Sequence, residues 1–407
     1  MESTMATQEQ NRLDAISQGQ PWRRWGTYVS ERAWGAVPED YSPDGNAWNF
    51  FPHEHARMRA YRWHEDGLAG FCDDQQSLCL GLGLWNGKDP ILKERLWGLA
   101  GGGAGNHGED VKELYFYQDA TPTHSYNRMR YLYPHAAYPF DRIAQENSDG
   151  NAPQETELQD ILRDDFQAGR YFQVDVEYAK AGVDDILVRI RVTNMAGQPA
   201  DIHVLPQIWY RNTWTWEGKP APWQLKQLSK GQVATDAGHP RIPAQTWAVA
   251  DQYGDRGTLL FTDNETNWRR LWPDDLAHPV RPAKDAFHIY PVPSEQQAQM
   301  AKTGQNLTIQ NGLAVDAVRN DGAGTKAAAL FQRTLAAKET WEIRIRLVPQ
   351  AGAPADPFAG FADTIQLRSD EADAFYNATQ SPALSAEAMS RPIASTRDSC
   401  RASDSSV

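Results

Sequence analysis

Three pairs of adjacent carboxylates stand among aromatic and imidazole side chains in this sequence: Glu39 with Asp40, Glu65 with Asp66, and Glu109 with Asp110. Between residues 31 and 126 they are interleaved with Trp48, Phe50, Trp63, His107, Tyr115, His124 and Tyr126 on backbone rich in glycine and proline. Aromatic faces stack on pyranose rings, and carboxylates and imidazoles bind hydroxyls, so this composition suits a sugar-handling surface. Inverting hydrolysis of a glycosidic bond needs one carboxylic acid to protonate the leaving oxygen. It also needs a second carboxylate, about 6.5–9.5 Å away, to activate water. Neighbouring residues on a strand point to opposite sides, so each pair offers one inward carboxylate and not a working couple. No catalytic residue is therefore assigned. The substrate-binding candidates are Trp48, Trp63, Glu65, Asp66, His107, Glu109, Asp110, His124 and Tyr126. The competing reading pairs these acids with Arg57, Arg59, Arg62 and Lys112 in loop networks, because buried charges need partners.

Other motifs carry less. His53-Glu54-His55 lacks a third ligand at a known spacing, and no metal site is expected. The run GLAGGGAG at 98–105 lacks the GK[ST] ending of a phosphate loop and reads as a turn. Cys72 and Cys79 stand at no zinc-ligand spacing and read as ordinary thiols, and Cys400 lies in a polar tail.

The elements that must position these residues are strands. In 171–178, Phe172, Val174, Val176 and Tyr178 share one face, opposite Gln173, Asp175 and Glu177. The same alternation recurs at 186–192, 202–210, 246–250, 257–263, 327–334 and 341–348, and it marks half-buried antiparallel strands. By contrast, 31–126 shows no clean period, and 142–170 reads as a charged surface excursion. Helices are expected at 8–18 and within 356–380, the latter with an apolar stripe of Phe361, Ile365, Leu367, Ala372 and Phe375. The fold class expected from these strands is mainly β, an antiparallel β-sandwich with long N-terminal loops, short helices and a C-terminal helix.

Composition narrows the partners. A net charge of −13 over 407 residues argues against nucleic acid and anionic membranes, which select for clustered Lys and Arg. No apolar run approaches the roughly 20 residues of a membrane helix, and the polar N-terminus has no apolar signal core, so a cytoplasmic location is expected.

Several runs resemble a known family. They are EDYS at 39–42, AYRW-EDGLAG at 60–70, LWNGKDPILKERLWGL at 84–99, NHGEDVKE-YFY at 106–117 and TPTHSY at 121–126. Three more are YFQVDVEYAKAG at 171–182, LPQIWYRNTW at 205–214 and GTKAAA at 324–329. Together they resemble the bacterial family 63-like glycoside hydrolases, related to mannosyl-oligosaccharide glucosidase, up to about Met389. The resemblance implies a super-sandwich over 31–350, preceded by an extension at 1–30 and followed by a linker helix at 351–389. It also implies an (α/α) barrel beyond, which supplies the acid and base for inverting hydrolysis of terminal α-glucosidic bonds in an oligosaccharide, with no organic cofactor. The serine-rich run 390–407 does not resemble that barrel and reads as a disordered tail. The chain is accordingly expected to stop before the barrel, to lack catalysis alone and to expose Phe361, Ile365 and Phe375. A separately encoded barrel is a possible partner. The alternative is a carbohydrate-binding module that works as it stands.

Overall fold

The computed structural model describes residues 6–29, 57–62, 67–90, 92–94, 113–148, 156–274, 277, 282–292 and 307–379. In chain order the strands are β1 (Trp25–Gly26), β2 (Phe71–Asp73), β3 (Leu78–Trp85), β4 (Leu114–Ala120), β5 (Tyr126–Pro134), β6 (Tyr171–Gly182), β7 (Asp185–Asn194) and β8 (Ala200–Tyr210). There follow β9 (Leu225–Ser229), β10 (Gln232–Ala234), β11 (Gln245–Asp251), β12 (Thr258–Thr262), β13 (Ile309–Gln310), β14 (Leu313–Ala314), β15 (Ala323–Gly324), β16 (Lys326–Leu335) and β17 (Thr340–Pro349). They build a six-stranded sheet, β1-β2-β3-β8-β16-β12, and a nine-stranded sheet, β15-β9-β10-β11-β17-β7-β6-β5-β4. The ladders are antiparallel. The architecture is the mainly β antiparallel sandwich that the alternating segments predict, and its two large sheets match the super-sandwich that the resemblance implies.

The period of two decides what lies between the sheets. Phe172, Val174, Val176 and Tyr178 of β6 meet Ile186, Val188, Ile190 and Val192 of β7 and Trp341, Ile343, Ile345 and Leu347 of β17 in one buried core. Leu78, Leu80, Leu82 and Leu84 of β3 and Ile202, Val204 and Ile208 of β8 close it from the other sheet. Burying each such side chain contributes about 1.5–3 kcal/mol, which sets the register, since a slip by one residue would turn every one of them outward. On the outer face of the nine-stranded sheet, Arg130 pairs with Asp175 at 2.8 Å and Arg189 with Glu177 at 2.7 Å. These cross-strand pairs settle which charges sit opposite each other, and they add less than the core.

Three segments differ from expectation. The run 31–126 contains β2, β3 and β4 among its described residues. In β3 the leucines face the core, and Gly81 and Gly83 face out where a Cβ would stand 2.9 Å from the Trp209 ring and 2.8 Å from Gln207 Nε2. Glycine there makes room for neighbours, and its weak strand propensity hides the alternation. The stretch 142–170 is no simple excursion either. Helices Phe140–Ser148, Leu158–Ile161 and Arg163–Gln167 bury Ile143, Leu158 and Leu162 with Tyr138 in a cluster of their own.

The C-terminal helix, Phe361–Thr379, is the third correction. It does not present Phe361 and Ile365 to solvent; both are buried with Tyr126, Ala179, Leu187 and Ala372 against the outer face of the nine-stranded sheet. The buried stripe is Phe361, Ile365, Ala372 and Tyr376, whereas Leu367 is exposed and Phe375 lies half-buried at its edge. Arg12 of the N-terminal helix, Gln8–Ser17, pairs with Glu371 of this C-terminal helix. No helix among the described residues is long and apolar enough to cross a membrane.

Truncating Ile365 should therefore cost as much as a core residue. Ile365→Ala is expected to destabilise by about 2–4 kcal/mol, and Leu367→Ala by less than about 0.5 kcal/mol, in urea unfolding. Equal losses would mean that the helix packs on a different face.

Candidate functional site

Of the nine binding candidates, Trp48, Trp63, Glu65, Asp66, His107, Glu109 and Asp110 lie outside the described residues, as does His53-Glu54-His55. The two described, His124 and Tyr126, are both buried, so neither presents a face for a sugar. His124 takes a left-handed φ of 54° in the turn between β4 and β5. Its ring covers Gly26, whose added Cβ would stand 2.5 Å away, and packs edge-on to Tyr28 at 5.3 Å. Tyr126 donates to Glu177 at 2.7 Å, and burial, with Glu177 beside it, keeps its hydroxyl protonated far above the usual range.

The surrounding turn is built by charges that have left water. Glu9 of the N-terminal helix accepts from Thr123 N and Ser125 Oγ, both at 2.7 Å, and from Arg12 at 3.1 Å. Lys180 donates to the carbonyls of Trp22 at 2.7 Å and Thr123 at 3.1 Å, and also to that of Trp25. Burial pushes this ammonium down to about 7, with Glu9 and Asp184 acting the other way. The TPTHSY run thus docks the N-terminus onto the sandwich.

A second buried network covers the outer face of the six-stranded sheet, and it is the richest chemical constellation among the described residues. Its centre is Glu94, which follows the bridge of Lys93 to Leu84 of β3. One carboxylate oxygen meets His288 Nε2 at 2.8 Å, and the other accepts from Lys326 Nζ at 3.2 Å and Gln207 Nε2 at 3.3 Å. Gln207 and Lys326 project from β8 and β16, and His288 from the short helix Ala286–Ile289. Lys326 also lies 5.6 Å from the Trp209 ring and 5.4 Å from that of Phe287. Alongside, Arg270 and Asp285 form a fully buried pair at 2.9 Å, with Asn267 donating to the same carboxylate.

Electrostatics fixes the protonation states. Burial alone would raise the Glu94 carboxyl, but the charges of Lys326 and Lys284 and the hydrogen bond from His288 together hold it well below the usual glutamate range. Burial lowers His288, and Arg57 and Lys326 add to that against the pull of Glu94, so the imidazole stays neutral. The result is an ionised carboxylate, a neutral imidazole donating to it and an ammonium. Such a set holds charge and proton position inside the protein.

The network also gathers chain. Leu68 N donates to Glu94 O at 3.2 Å, and Lys93 pairs with Glu113 at 2.6 Å. Residues 57–62 are sewn to 264–267 through Ala60 N to Thr266 Oγ1 at 3.0 Å and Tyr61 N to Asn264 Oδ1 at 2.7 Å. The described residues that follow 63–66 and flank 95–112, the runs carrying Trp63, Glu65, Asp66, His107, Glu109 and Asp110, therefore meet at Lys93 and Glu94, while those that precede 63–66 are held by 264–267. Sequence reasoning singled out none of Glu94, Gln207, Lys326 and His288. One signal was present: a lone charge or imidazole inside an apolar run, as in KAAALF and AFHIY, marks a buried polar group that must find a partner.

No family model matches the chain. An uncharacterized protein of Saccharomyces cerevisiae is 38% identical over 339 residues, covering 76% of this chain and 29% of the yeast protein. The chain thus spans less than a third of that relative's length.

Glu94→Gln leaves Lys326 buried beside a neutral amide and is expected to destabilise by about 3–5 kcal/mol at neutral pH. The sign with pH follows from the depressed carboxyl. Its contribution is full above the ordinary glutamate value of 4.5 and is lost as pH falls below it toward the folded value. The lowered His288 acts in a separate window, with loss beginning near its ordinary 6.5. Urea unfolding as a function of pH should show a shallower acid limb below 4.5 in Glu94→Gln than in the parent. Parallel limbs would show that Glu94 is not held ionised.

Proposed function

We propose that the chain is the super-sandwich region of a family 63-like glycoside hydrolase, handling α-linked oligosaccharides without supplying the catalytic acid and base. The observation that carries this reading is a convergence. Gln207 from 205–214 and Lys326 from 324–329 both donate to Glu94 from the 84–99 run in the buried network, and the resemblance rests on these three runs among others. The two-sheet architecture agrees with what the resemblance implies. The network also anchors the flanks of the two runs richest in tryptophan, histidine and paired carboxylates.

On this reading the parts divide by chemistry. Glu94, His288 and Lys326 hold loops and do not touch substrate, because a buried and fully partnered carboxylate has no path for exchanging a proton with a glycosidic oxygen. The runs at 63–66 and 106–110 supply the sugar contacts, with Trp63 for stacking and His107, Glu109 and Asp110 for hydroxyls. The acid and base belong to the helical barrel that the resemblance places beyond the sandwich, and the oligosaccharide is held between them.

The test measures glucose release from α-linked disaccharides and an aryl α-glucoside beside a titration followed by tryptophan fluorescence. The expected result is no turnover, with weak saturable quenching that Trp63→Ala diminishes, since one open face desolvates little of a sugar. Turnover that disappears on replacing Glu65, Asp66, Glu109 or Asp110 would place the active site within this chain and overturn the assignment. A chain that neither hydrolyses nor binds these sugars would remove the carbohydrate reading itself.

A further inference from the structure

At one end of the sandwich, a cleft of about 830 Å³ opens between Lys88, His135, Arg170, Phe172, the β7–β8 connection at 196–199 and the start of β8 at Ala200 and Asp201. Its volume falls within the range of about 300–1,000 Å³ typical of small-molecule sites. Its walls are held by specific bonds. Asn86 Nδ2 donates to the carbonyls on either side of His135, those of Pro134 at 2.9 Å and Ala136 at 3.0 Å. Asn86 Oδ1 accepts from Lys88 N at 3.0 Å and Asp89 N at 2.8 Å, which clips the turn bearing Lys88 over the histidine. His135 N donates to Arg170 O at 3.1 Å. Gly169 next to it has a φ of 69°, and an added Cβ would lie 2.5 Å from Met195 O, so only glycine lets these two walls approach. On the far side, Asn194 accepts from Ala196 N at 2.9 Å and donates to Gln198 O at 2.8 Å.

The lining is biased toward positive charge. Lys88 is exposed and forms no ion pair among the described residues. Arg170 holds Asp165 through Nε at 2.6 Å, and a guanidinium anchored in this way can direct its terminal nitrogens elsewhere. The Lys338 ammonium lies 2.5 Å from Met195 O and 3.9 Å from where a Cβ on Gly169 would stand. Asp201 is the acid on the lining and accepts from Thr334 at 2.5 Å. The His135 ring packs against Phe172 at 4.2 Å between centroids, tilted by 50°, and its buried Nε2 meets no acceptor among the described residues. Burial first, then Lys88 and Arg170 against the opposing pull of Asp165, lower its pKa to about 4, so the ring is neutral at physiological pH.

We propose that this cleft binds small molecules bearing an oxyanion, a phosphate ester or a carboxylate, seated between Lys88 and Arg170 with His135 at its side. The oxyanion neutralises the two cations, and the cleft volume beyond the charged group takes the polar body that carries it. A linked proton follows. Neutralising Lys88 and Arg170 removes their repulsion of an imidazolium, so binding raises the pH at which His135 takes up its proton.

The test titrates the full chain by calorimetry with inorganic phosphate, glucose 6-phosphate, glucuronate and neutral glucose, and follows the histidine ring resonances by NMR against pH. Both charged sugars, or whichever of them carries the matching oxyanion, should bind more tightly than glucose, and the tighter of the two identifies the group. Lys88→Gln and Arg170→Gln should each weaken binding at least about tenfold. Lys88 has no ion-pair partner to lose among the described residues, so that variant keeps its fold as a control for the other. His135 should titrate at higher pH with glucose 6-phosphate present than without it. The proposal is overturned if no anion binds, if glucose binds as well as the charged sugars, if Lys88→Gln binds like the parent, or if the His135 titration does not move.

Discussion

A carboxylate taken out of water must find cations and donors, and the outer surface of the six-stranded sheet is organised by that requirement at Glu94. Removing an ion from water costs several kcal/mol even after relaxation, more than any single hydrogen bond returns. The cost is offset only because Lys326, His288 and Gln207 arrive together from β16, a short helix and β8. Each is held by elements far apart in sequence, so the network forms only when the sheet does. Glycines at 81 and 83 then follow as a steric condition, since a side chain at either would displace Trp209 or Gln207.

The same principle recurs at the other buried charges and explains why polar side chains are dense in the runs that surround them. Glu9, Lys180 and Glu177 lie in or against the TPTHSY and YFQVDVEYAKAG runs, and each spends its hydrogen bonds on turns and neighbouring strands. Replacing one partner in such a network leaves the other unpaired, and an unpaired buried group costs more than a lost contact. Among the described residues, these buried polar groups serve the architecture: each ties a turn or a strand to its neighbour.

The two faces of the nine-stranded sheet show how one pattern yields different outcomes. Inward positions form a continuous apolar core, and outward positions carry arginines opposite carboxylates. Where the C-terminal helix lies on that outer face, the pattern breaks into an apolar patch at Tyr126, Ala179 and Leu187. The helix was readable from its own stripe, but the partner that covers it was not. Leu187 looks like an irregularity in β7 until Phe361 and Ile365 are placed over it.

The sequence alone determined the two-sheet architecture, because a period of two with one apolar face has few ways to bury itself. Strands β6, β7, β8, β11, β12, β16 and β17 were legible on that ground, as were both terminal helices. Strand β3 was hidden by outward glycines, and the helices at 140–167 by their charged surfaces. Only the tertiary structure decided which charges are buried. It turned His124 and Tyr126 inward, made Glu94 the meeting point of β3, β8 and β16, and set Lys88 beside His135 and Arg170 at the sandwich end. Periodicity specifies which side of a strand a residue faces. It is silent on which distant strand stands opposite, and charge pairing depends on that neighbour.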